Sequence, residues 1–177
     1  MSFEEIEQAV LQWAHDRKII DFDNHRQMYL QVLRTQCLKL TEEIGELHNA
    51  LYHEDKDLLV DALGDSLVVM TSIAWAIPGP DEVKMINLYK YAVGVVQEYT
   101  NLSNLIGFTL GELASAIIKN KSGYEIKLRL ERLTLYLYQL AQAHDLYLKD
   151  CYEVAYNVIK NRKGKTTSDG NFIKEGD

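Results

Sequence analysis

Residues 58–77 form a stretch that is apolar almost all round, yet it holds two aspartates and no lysine or arginine. Asp61 and Asp65 are four residues apart and therefore share one face of a helix. Apolar side chains on nearly every side predict a helix buried in the core of a folded domain. Because a buried carboxylate is costly without a cation or strong donors, the fold must bring a compensating group to this aspartate pair.

The composition predicts a single cytoplasmic domain. The chain has 177 residues, of which 47% are apolar and 25% charged, as in ordinary globular proteins. The net charge of -7 argues against binding to nucleic acid or to a membrane surface, although bound divalent cations would let the protein hold a small anion. The N-terminus shows no signal-peptide pattern, and Cys37 and Cys151 are too few and too far apart for a disulfide framework.

Helical periodicity and turn signals predict an all-α fold. Ser2 and Glu5 form a capping box in front of the first helix, and Asn24 is a candidate N-cap of the second. The next predicted helices are 25–53, 58–77, one long or two shorter helices over 81–120 with Asp81 as the cap, 124–143 and 146–161. No segment shows the alternation of a strand, and residues 160–177 are predicted to be a basic, flexible tail of the single domain.

The chain contains a weak internal repeat with an offset of 66 residues. The tripeptide Gly-Glu-Leu at 45–47 recurs at 111–113, and each copy is a helix, a charged turn and a helix. Phe108 and Thr109 stand in the second copy where the first has Glu42 and Glu43. A true repeat predicts a four-helix core of two hairpins with chemistry in the first only, and chance similarity between amphipathic helices explains the match equally well.

Three glutamates in the segment KLTEEIGEL, Glu42, Glu43 and Glu46, lie on neighbouring turns of the predicted second helix and can point the same way. By themselves they are typical of a solvated helix face. The aspartate pair on the next helix changes this interpretation, because the two acid clusters are predicted to face each other across the hairpin with divalent cations between them. The alternative is a salt bridge to the aspartates from Lys39 or Arg34.

The type of ligand indicates the type of cation. Carboxylates without a cluster of histidine or cysteine favour a hard cation such as Mg²⁺ or Mn²⁺. Mg²⁺ held by few protein ligands shares its remaining positions with phosphates, so the five acids predict phosphoryl chemistry. A carboxylate-bridged di-iron bundle would need Glu-x-x-His pairs, and none of the five histidines lies three residues after a glutamate.

The segment KLTEEIGEL, a short charged turn and then DALGDSLVV resemble the MazG-like all-α nucleoside triphosphate pyrophosphohydrolases, whose pattern is E-E-x-x-E on one helix and E-x-x-D on the next. The upstream WAHDRKII and the tail IKNRKGKTTSDGNFIKEGD are similar to phage-type members, so the resemblance covers most of the chain. It implies a MazG-like helical bundle that assembles as a dimer or tetramer. It also implies Mg²⁺-dependent hydrolysis of a (deoxy)nucleoside triphosphate to the monophosphate and pyrophosphate, with Mn²⁺ as a possible substitute, in nucleotide-pool control in the (host) cytoplasm.

The resemblance also implies roles for the individual acids. Glu43, Glu46 and Asp65 correspond to metal ligands, and Glu42 would be a further ligand or an outer-shell acid. Either Glu43 or Glu42 would orient or deprotonate the attacking water. The chain departs from the pattern at Ala62, where the family has a glutamate three residues before the aspartate.

This departure leaves two hypotheses for the function. Asp61 lies one residue earlier, still shares a helix face with Asp65 and is the available substitute for the missing acid. With that substitution the chain is predicted to be the enzyme. Without it, the chain would be a catalytically silent helical dimer that binds a nucleotide or a partner protein.

The substrate-binding residues are harder to predict. The run of cations after residue 159 is either a solvated helix end or a clamp on the triphosphate, supplied by the same or a neighbouring subunit. Polar residues before the glutamates could contact the base, and the phage-like tail favours a purine such as dGTP, with dCTP and dUTP open. The candidates are Lys39, Gln36, Asn24, Lys160, Arg162, Lys163 and Lys165, with Trp13 and His25 as further possible base contacts.

Overall fold

The computed structural model of the chain describes residues 1–79, 82–167 and 172–175. Within them it contains seven helices and one two-stranded sheet, which confirms the predicted all-α class. The elements are α1 (Phe3–Asp16), α2 (His25–His53), α3 (Lys56–Ala76), α4 (Met85–Gly94), α5 (Leu102–Ile118), α6 (Gly123–Ala143), α7 (Leu148–Ile159), β1 (Gly164–Thr166) and β2 (Phe172–Lys174).

The first helical hairpin is formed by α2 and α3, which pack along their lengths. Helix α2 has the predicted bounds, but α3 begins two residues earlier than predicted. The reason is a local cap, because the Asp55 carboxylate accepts hydrogen bonds from the backbone N–H groups of Asp57 and Leu58, both at 3.0 Å. The two acid-bearing helices are therefore joined by a tight turn that sets their register.

Of the two N-caps predicted for α1 and α2, one forms as predicted and the other does not. The Ser2–Glu5 capping box at the start of α1 is present in both of its hydrogen bonds. Asn24 occupies the N-cap position of α2, but its side chain makes no capping bond. It donates instead to the Asp21 carboxylate at 2.6 Å, so the predicted role of Asn24 as a cap is wrong.

Helix α3 is the centre of the core. It packs against α2, α7, α1, α6 and α4, and 14 of its 21 residues are buried. Among the described residues it is the one helix long and apolar enough to cross a membrane, but 72% of its most apolar window is buried inside the protein. Its apolar surface is therefore accounted for by neighbouring helices, as its sequence predicted.

A second hairpin, α5 and α6, packs against the first through α2–α5 and α3–α6 contacts. Two ion pairs lie within this hairpin, since Arg132 lies 3.1 Å from Glu112 and Lys127 lies 3.4 Å from Glu131. Helices α2 and α3 of the first hairpin carry six acids, including the five predicted cation ligands.

The region 81–120, predicted as one long or two shorter helices, contains two helices in its described part. Helix α4 ends at Gly94, and α5 starts only at Leu102 after a non-helical segment. Gly94 and the valines around it have low helix propensity, which explains the break. The predicted cap Asp81 lies outside the described residues.

The C-terminal segment differs most from the prediction. Residues 160–177 were predicted to be a flexible tail without strands. The described part of this segment instead contains the antiparallel strands β1 and β2, with Gly164 opposite Lys174 and Thr166 opposite Phe172. Each strand has three residues, too few to reveal an alternating pattern. The hairpin packs on α1, where Phe172 meets the ring of Trp13 edge-on at 5.8 Å between ring centres.

Glu7 of α1 caps α4 from a distance of nearly eighty residues. Its carboxylate is 2% exposed and accepts hydrogen bonds from the backbone N–H groups of Met85 at 2.6 Å and Ile86 at 3.0 Å. The local N-cap residue of α4, Lys84, makes no side-chain capping bond. The N-terminus of α4 therefore depends on a carboxylate from another helix.

We expect Glu7→Ala to lower the free energy of unfolding by about 2–3 kcal/mol, because it leaves one buried and one half-buried N–H donor unpaired. Urea denaturation followed by circular dichroism measures this change. Glu4→Ala is the matched control, since Glu4 is exposed in the first turn of the same helix. Equal destabilisation by the two changes would contradict the capping role.

Candidate metal centre

All five predicted acids line a single cavity of about 400 Å³. Helix α2 contributes three carboxylates and α3 contributes two, and the hairpin between them brings the two sets together. The cavity is also lined by residues of α1, the end of α7 and β2. The acids that line the cavity are Glu42, Glu43, Glu46, Asp61 and Asp65.

Glu43 is the most deeply placed of the three glutamates. It is 3% exposed, whereas Glu42 and Glu46 are exposed. Its Oε1 lies 2.8 Å from the Nζ of Lys39, and its Oε2 is buried without a hydrogen-bond partner among the described residues. Burial raises the pKa of this carboxyl, and the bond from Lys39 opposes that rise only in part. This oxygen is therefore free to accept a bond from a cation or from water.

Asp65 carries the strongest electrostatic penalty in the cavity. Burial, together with the neighbouring charges of Glu43 and Asp61, raises its pKa from the usual 3.8 to about 7. The charges of Arg162 and Lys39 lower the pKa of Asp65, but they do not offset the rise. The carboxylates therefore repel each other at neutral pH in a way that a cation would relieve.

Lys39 pairs with the glutamates rather than with the aspartates. Its Nζ lies 2.8 Å from carboxylate oxygens of both Glu42 and Glu43. Burial lowers the pKa of Lys39, but its hydrogen bonds and charge interactions with these two glutamates raise that pKa by more, so the ammonium stays charged. Within the described residues no lysine or arginine lies within 4.0 Å of Asp61 or Asp65, and Arg34 is exposed. The alternative prediction, a salt bridge from Lys39 or Arg34 to the aspartate pair, is wrong.

The carboxylates do not form a preorganised coordination sphere. In the part of the chain that the structure describes, no three side chains of His, Cys, Asp or Glu converge as a ready-made metal-binding group. Lys39 accounts for part of this, because it holds one oxygen of Glu42 and one of Glu43. The unpaired Oε2 of Glu43 and the repulsion at Asp65 nevertheless fit a hard divalent cation, which prefers carboxylate oxygens.

Position 62, where the resemblance led us to expect an acid, points away from the cavity. Ala62 is 3% exposed and belongs to the core, whereas Asp61 lines the cavity beside Asp65. An acid at 62 would be buried among apolar side chains in this fold. The geometry therefore favours Asp61 as the substitute.

The predicted substrate-binding residues divide into two groups. Gln36, Lys39 and Arg162 line the cavity. Asn24 bonds Asp21 at the surface, and His25 bonds the backbone oxygen of Trp75. The remaining cations, Lys160, Lys163 and Lys165, are exposed and do not line the cavity.

The sequence predicted few of the apolar residues that line the cavity: only Trp13 was a candidate base contact. Ser72, a buried polar residue of the lining that is 3% exposed, was not predicted either. Ser72 lies seven residues after Asp65, on the same helix face, and this spacing could have identified it. The apolar wall consists of Trp13, Ile19, Val68, Val69, Ile159, Phe172 and Ile173.

Comparisons of the chain with protein-family models, with curated proteins and with solved structures gave no match.

Proposed function

We propose that the protein hydrolyses a (deoxy)nucleoside triphosphate to the monophosphate and pyrophosphate with the help of Mg²⁺, or of Mn²⁺ as a substitute. One observation carries the proposal: five carboxylates from two helices meet in one cavity, and the most buried of them keeps an unpaired oxygen. The resemblance of both helix segments to the MazG-like enzymes supports the same conclusion. The reaction would serve to clean or rebalance a nucleotide pool.

The residues that would hold the cation are Glu46, Asp61 and Asp65, with Glu42 as a further or outer ligand. Glu43 has one unpaired oxygen, which would serve either as a further ligand or as the base that accepts the water proton. When bound, the cation would neutralise the polyphosphate and make the α-phosphorus more electrophilic. Relief of the repulsion at Asp65 would contribute to its affinity.

Glu43 is the candidate general base. Its raised pKa makes it a better proton acceptor than an exposed glutamate, and its free Oε2 can accept a proton from water. The water oxygen would bond to the α-phosphorus as the bond to the α–β bridging oxygen breaks. The bridging oxygen leaves with pyrophosphate, and the water proton passes to Glu43.

Two cations of the chain border the acids. Lys39 holds Glu42 and Glu43 in place through its charged ammonium group. Arg162 lies close enough to lower the pKa of Asp65, and its guanidinium would hold phosphate oxygens at the mouth of the cavity. Each would offset part of the negative charge that a triphosphate adds.

The apolar wall of the cavity suits a nucleobase. It includes the rings of Trp13 and Phe172, and aromatic rings provide stacking surfaces for any base. The amide of Gln36, 8% exposed, offers a donor and an acceptor to a base edge. dGTP is the first substrate to test, followed by dCTP and dUTP.

The proposal is tested by incubating the protein with Mg²⁺ and each nucleotide of a dNTP panel, then measuring monophosphate, pyrophosphate and orthophosphate. We expect equal amounts of monophosphate and pyrophosphate, and about 100-fold less of both with Glu46→Gln, because it removes one cation ligand. Glu98→Gln, at an exposed loop position, is the control. Orthophosphate as the first product would contradict the proposed bond cleavage.

The second candidate function, a catalytically silent helical dimer that binds a nucleotide or a partner protein, draws on Lys39. Its ammonium already bonds two of the five acids, so a cation must displace or share these bonds. Nucleotide binding that needs no metal and gives no turnover in the same assay would favour this function.

We further propose that the protein assembles as a dimer or tetramer. Large apolar side chains lie exposed on α2 and α5, with 69% of Leu38, 84% of Tyr52 and 66% of Phe108 accessible in the single chain. Such side chains are common at protein–protein interfaces. Light scattering coupled to size-exclusion chromatography measures the mass in solution.

A further inference from the structure

We propose that Arg17, at the end of α1, is a positioning residue that docks the β1–β2 hairpin against the cavity and thereby places one wall of the substrate site. The docking is a structural claim about the chain itself. Its consequence for catalysis rests on the proposed function.

The side chain of Arg17 joins three parts of the chain that are distant in sequence. Its guanidinium carbon lies 4.8 Å from the ring centre of Trp13 on α1 and 5.6 Å from that of Phe172 on β2. Its Nη2 donates a hydrogen bond of 2.7 Å to the backbone oxygen of Arg162, which precedes β1. The guanidinium of Arg17 therefore contacts the chain just before β1, the first residue of β2, and α1.

The surrounding hydrogen bonds reinforce this junction. The backbone oxygen of Arg17 accepts a hydrogen bond from the hydroxyl of Thr166 in β1. The indole N–H of Trp13 donates to the backbone oxygen of Ile159, the last residue of α7, at 2.9 Å. The end of α1 is thus bonded to the chain just before the hairpin and to the first strand.

The described part of the hairpin is small. Its strands have three residues each, and a two-stranded hairpin of this size is at best marginally stable by itself. Its contribution to the cavity is substantial, because Phe172 and Ile173 line the apolar wall and Arg162 lines the border near the acids. Whatever docks the hairpin therefore also sets the shape of the substrate site.

The geometry requires arginine rather than lysine. A planar guanidinium can lie against both rings while its N–H groups donate in the plane, whereas an ammonium is a compact point charge with no such face. Arg17→Lys should keep the charge and lose most of the stacking, and Arg17→Met should keep the apolar stem and lose both the charge and the hydrogen bond.

Limited trypsin digestion tests the docking without any enzymatic assay. The tail carries potential cleavage sites at Arg162, Lys163 and Lys165, and we expect Arg17→Met to speed cleavage there about 10-fold because the open hairpin becomes more populated. Arg17→Lys should give an intermediate rate. Arg26→Met, at an exposed position of α2, is the matched control and should leave the rate unchanged.

Steady-state kinetics test the positioning role. We expect Arg17→Met to raise KM for the preferred nucleotide about 10-fold and to change kcat by less than about 3-fold, since the hairpin wall binds ground state and transition state alike. Arg17→Lys should recover part of the loss in KM. A role in folding alone would lower the active fraction and kcat without changing KM.

The outcomes separate the two proposals. Cleavage of the Arg17→Met tail at the wild-type rate, or equal acceleration in Arg26→Met, would overturn the docking. Faster cleavage with an unchanged KM would overturn the positioning role. If the wild-type protein hydrolyses no nucleotide, the proposed function fails, and the proteolysis result still decides whether Arg17 docks the hairpin.

Discussion

Asp65→Asn is expected to stabilise the metal-free protein at pH 8 and, in the same molecule, to lower the proposed nucleotide hydrolysis about 1,000-fold. The stabilisation follows from the position of Asp65 in the cavity. Burial and the charges of Glu43 and Asp61 raise its pKa from the usual 3.8 to about 7. An uncharged amide of the same size avoids the cost of ionising that carboxyl inside the fold.

The sign of the pH dependence follows from proton binding. Between pH 4 and pH 7 the folded protein holds a proton at Asp65 that the unfolded chain has already lost. Folding stability from this group is therefore lost as the pH rises through that window, and the full penalty is present above pH 7. We expect Asp65→Asn to raise stability at pH 8 by about 2 kcal/mol, or about 5 °C in Tm, and to have little effect at pH 4.

The loss of activity follows from the proposed role of Asp65 as a cation ligand. An amide is a weaker, uncharged ligand, and we expect pyrophosphate release to fall about 1,000-fold, which corresponds to about 4 kcal/mol of transition-state stabilisation. Thermal melts at pH 4 and pH 8 without metal, together with the pyrophosphate assay, measure both effects. Asp23→Asn, at an exposed loop position, is the control. A Tm of Asp65→Asn below that of the wild-type protein at pH 8 would contradict the inferred repulsion among the carboxylates.

Gly64→Ala is expected to cost about 3 kcal/mol of stability, whereas Gly45→Ala is expected to be neutral or to stabilise by about 0.5–1 kcal/mol. Both glycines lie inside the helices of the acidic hairpin. A Cβ at Gly64 would overlap the backbone oxygen of Cys151 and lie 2.7 Å from the Cβ of Ala155, so α3 and α7 would have to separate. A Cβ at Gly45 would meet nothing within 4 Å.

Urea denaturation of the two variants measures the difference directly. Each change removes the same backbone freedom from the unfolded chain, so the difference between them reports the contact with α7. Equal unfolding midpoints would show that α3 and α7 are not packed as closely as the structure has them. Because Gly64 immediately precedes Asp65, its replacement should also reduce nucleotide hydrolysis in proportion to the displacement of α3.

Asp65 and Gly64 differ in how far their properties can be predicted from the sequence. The aspartate pair was identified as strained from its sequence context, because charge in an apolar helix is a local pattern. The glycines could not be ranked in that way, because both are helix-interior glycines in a similar setting. Only the packing of α7 against α3 distinguishes them.

The sequence predicted that the acids of the two helices face one another, but it did not predict which of them Lys39 contacts. Periodicity placed Glu43 and Asp65 on facing helices, and both line the cavity. The partner of Lys39 was predicted wrongly, because the geometry between helices decides whether an ammonium reaches the next turn of its own helix or the neighbouring one. The role of position 62 was likewise decided by which face of α3 meets the core.

The sequence by itself determined the helices, the central position of α3 and the identity of the acids. Apolar periodicity, the capping box at Ser2, and like charges at four-residue spacing act within one or two turns, so they can be read locally. The tertiary structure alone decided the contacts between distant segments: Glu7 at the start of α4, Arg17 against the C-terminal hairpin and Gly64 against α7. Such contacts depend on tertiary packing, which brings together residues between 78 and 155 positions apart and leaves no local pattern in the chain.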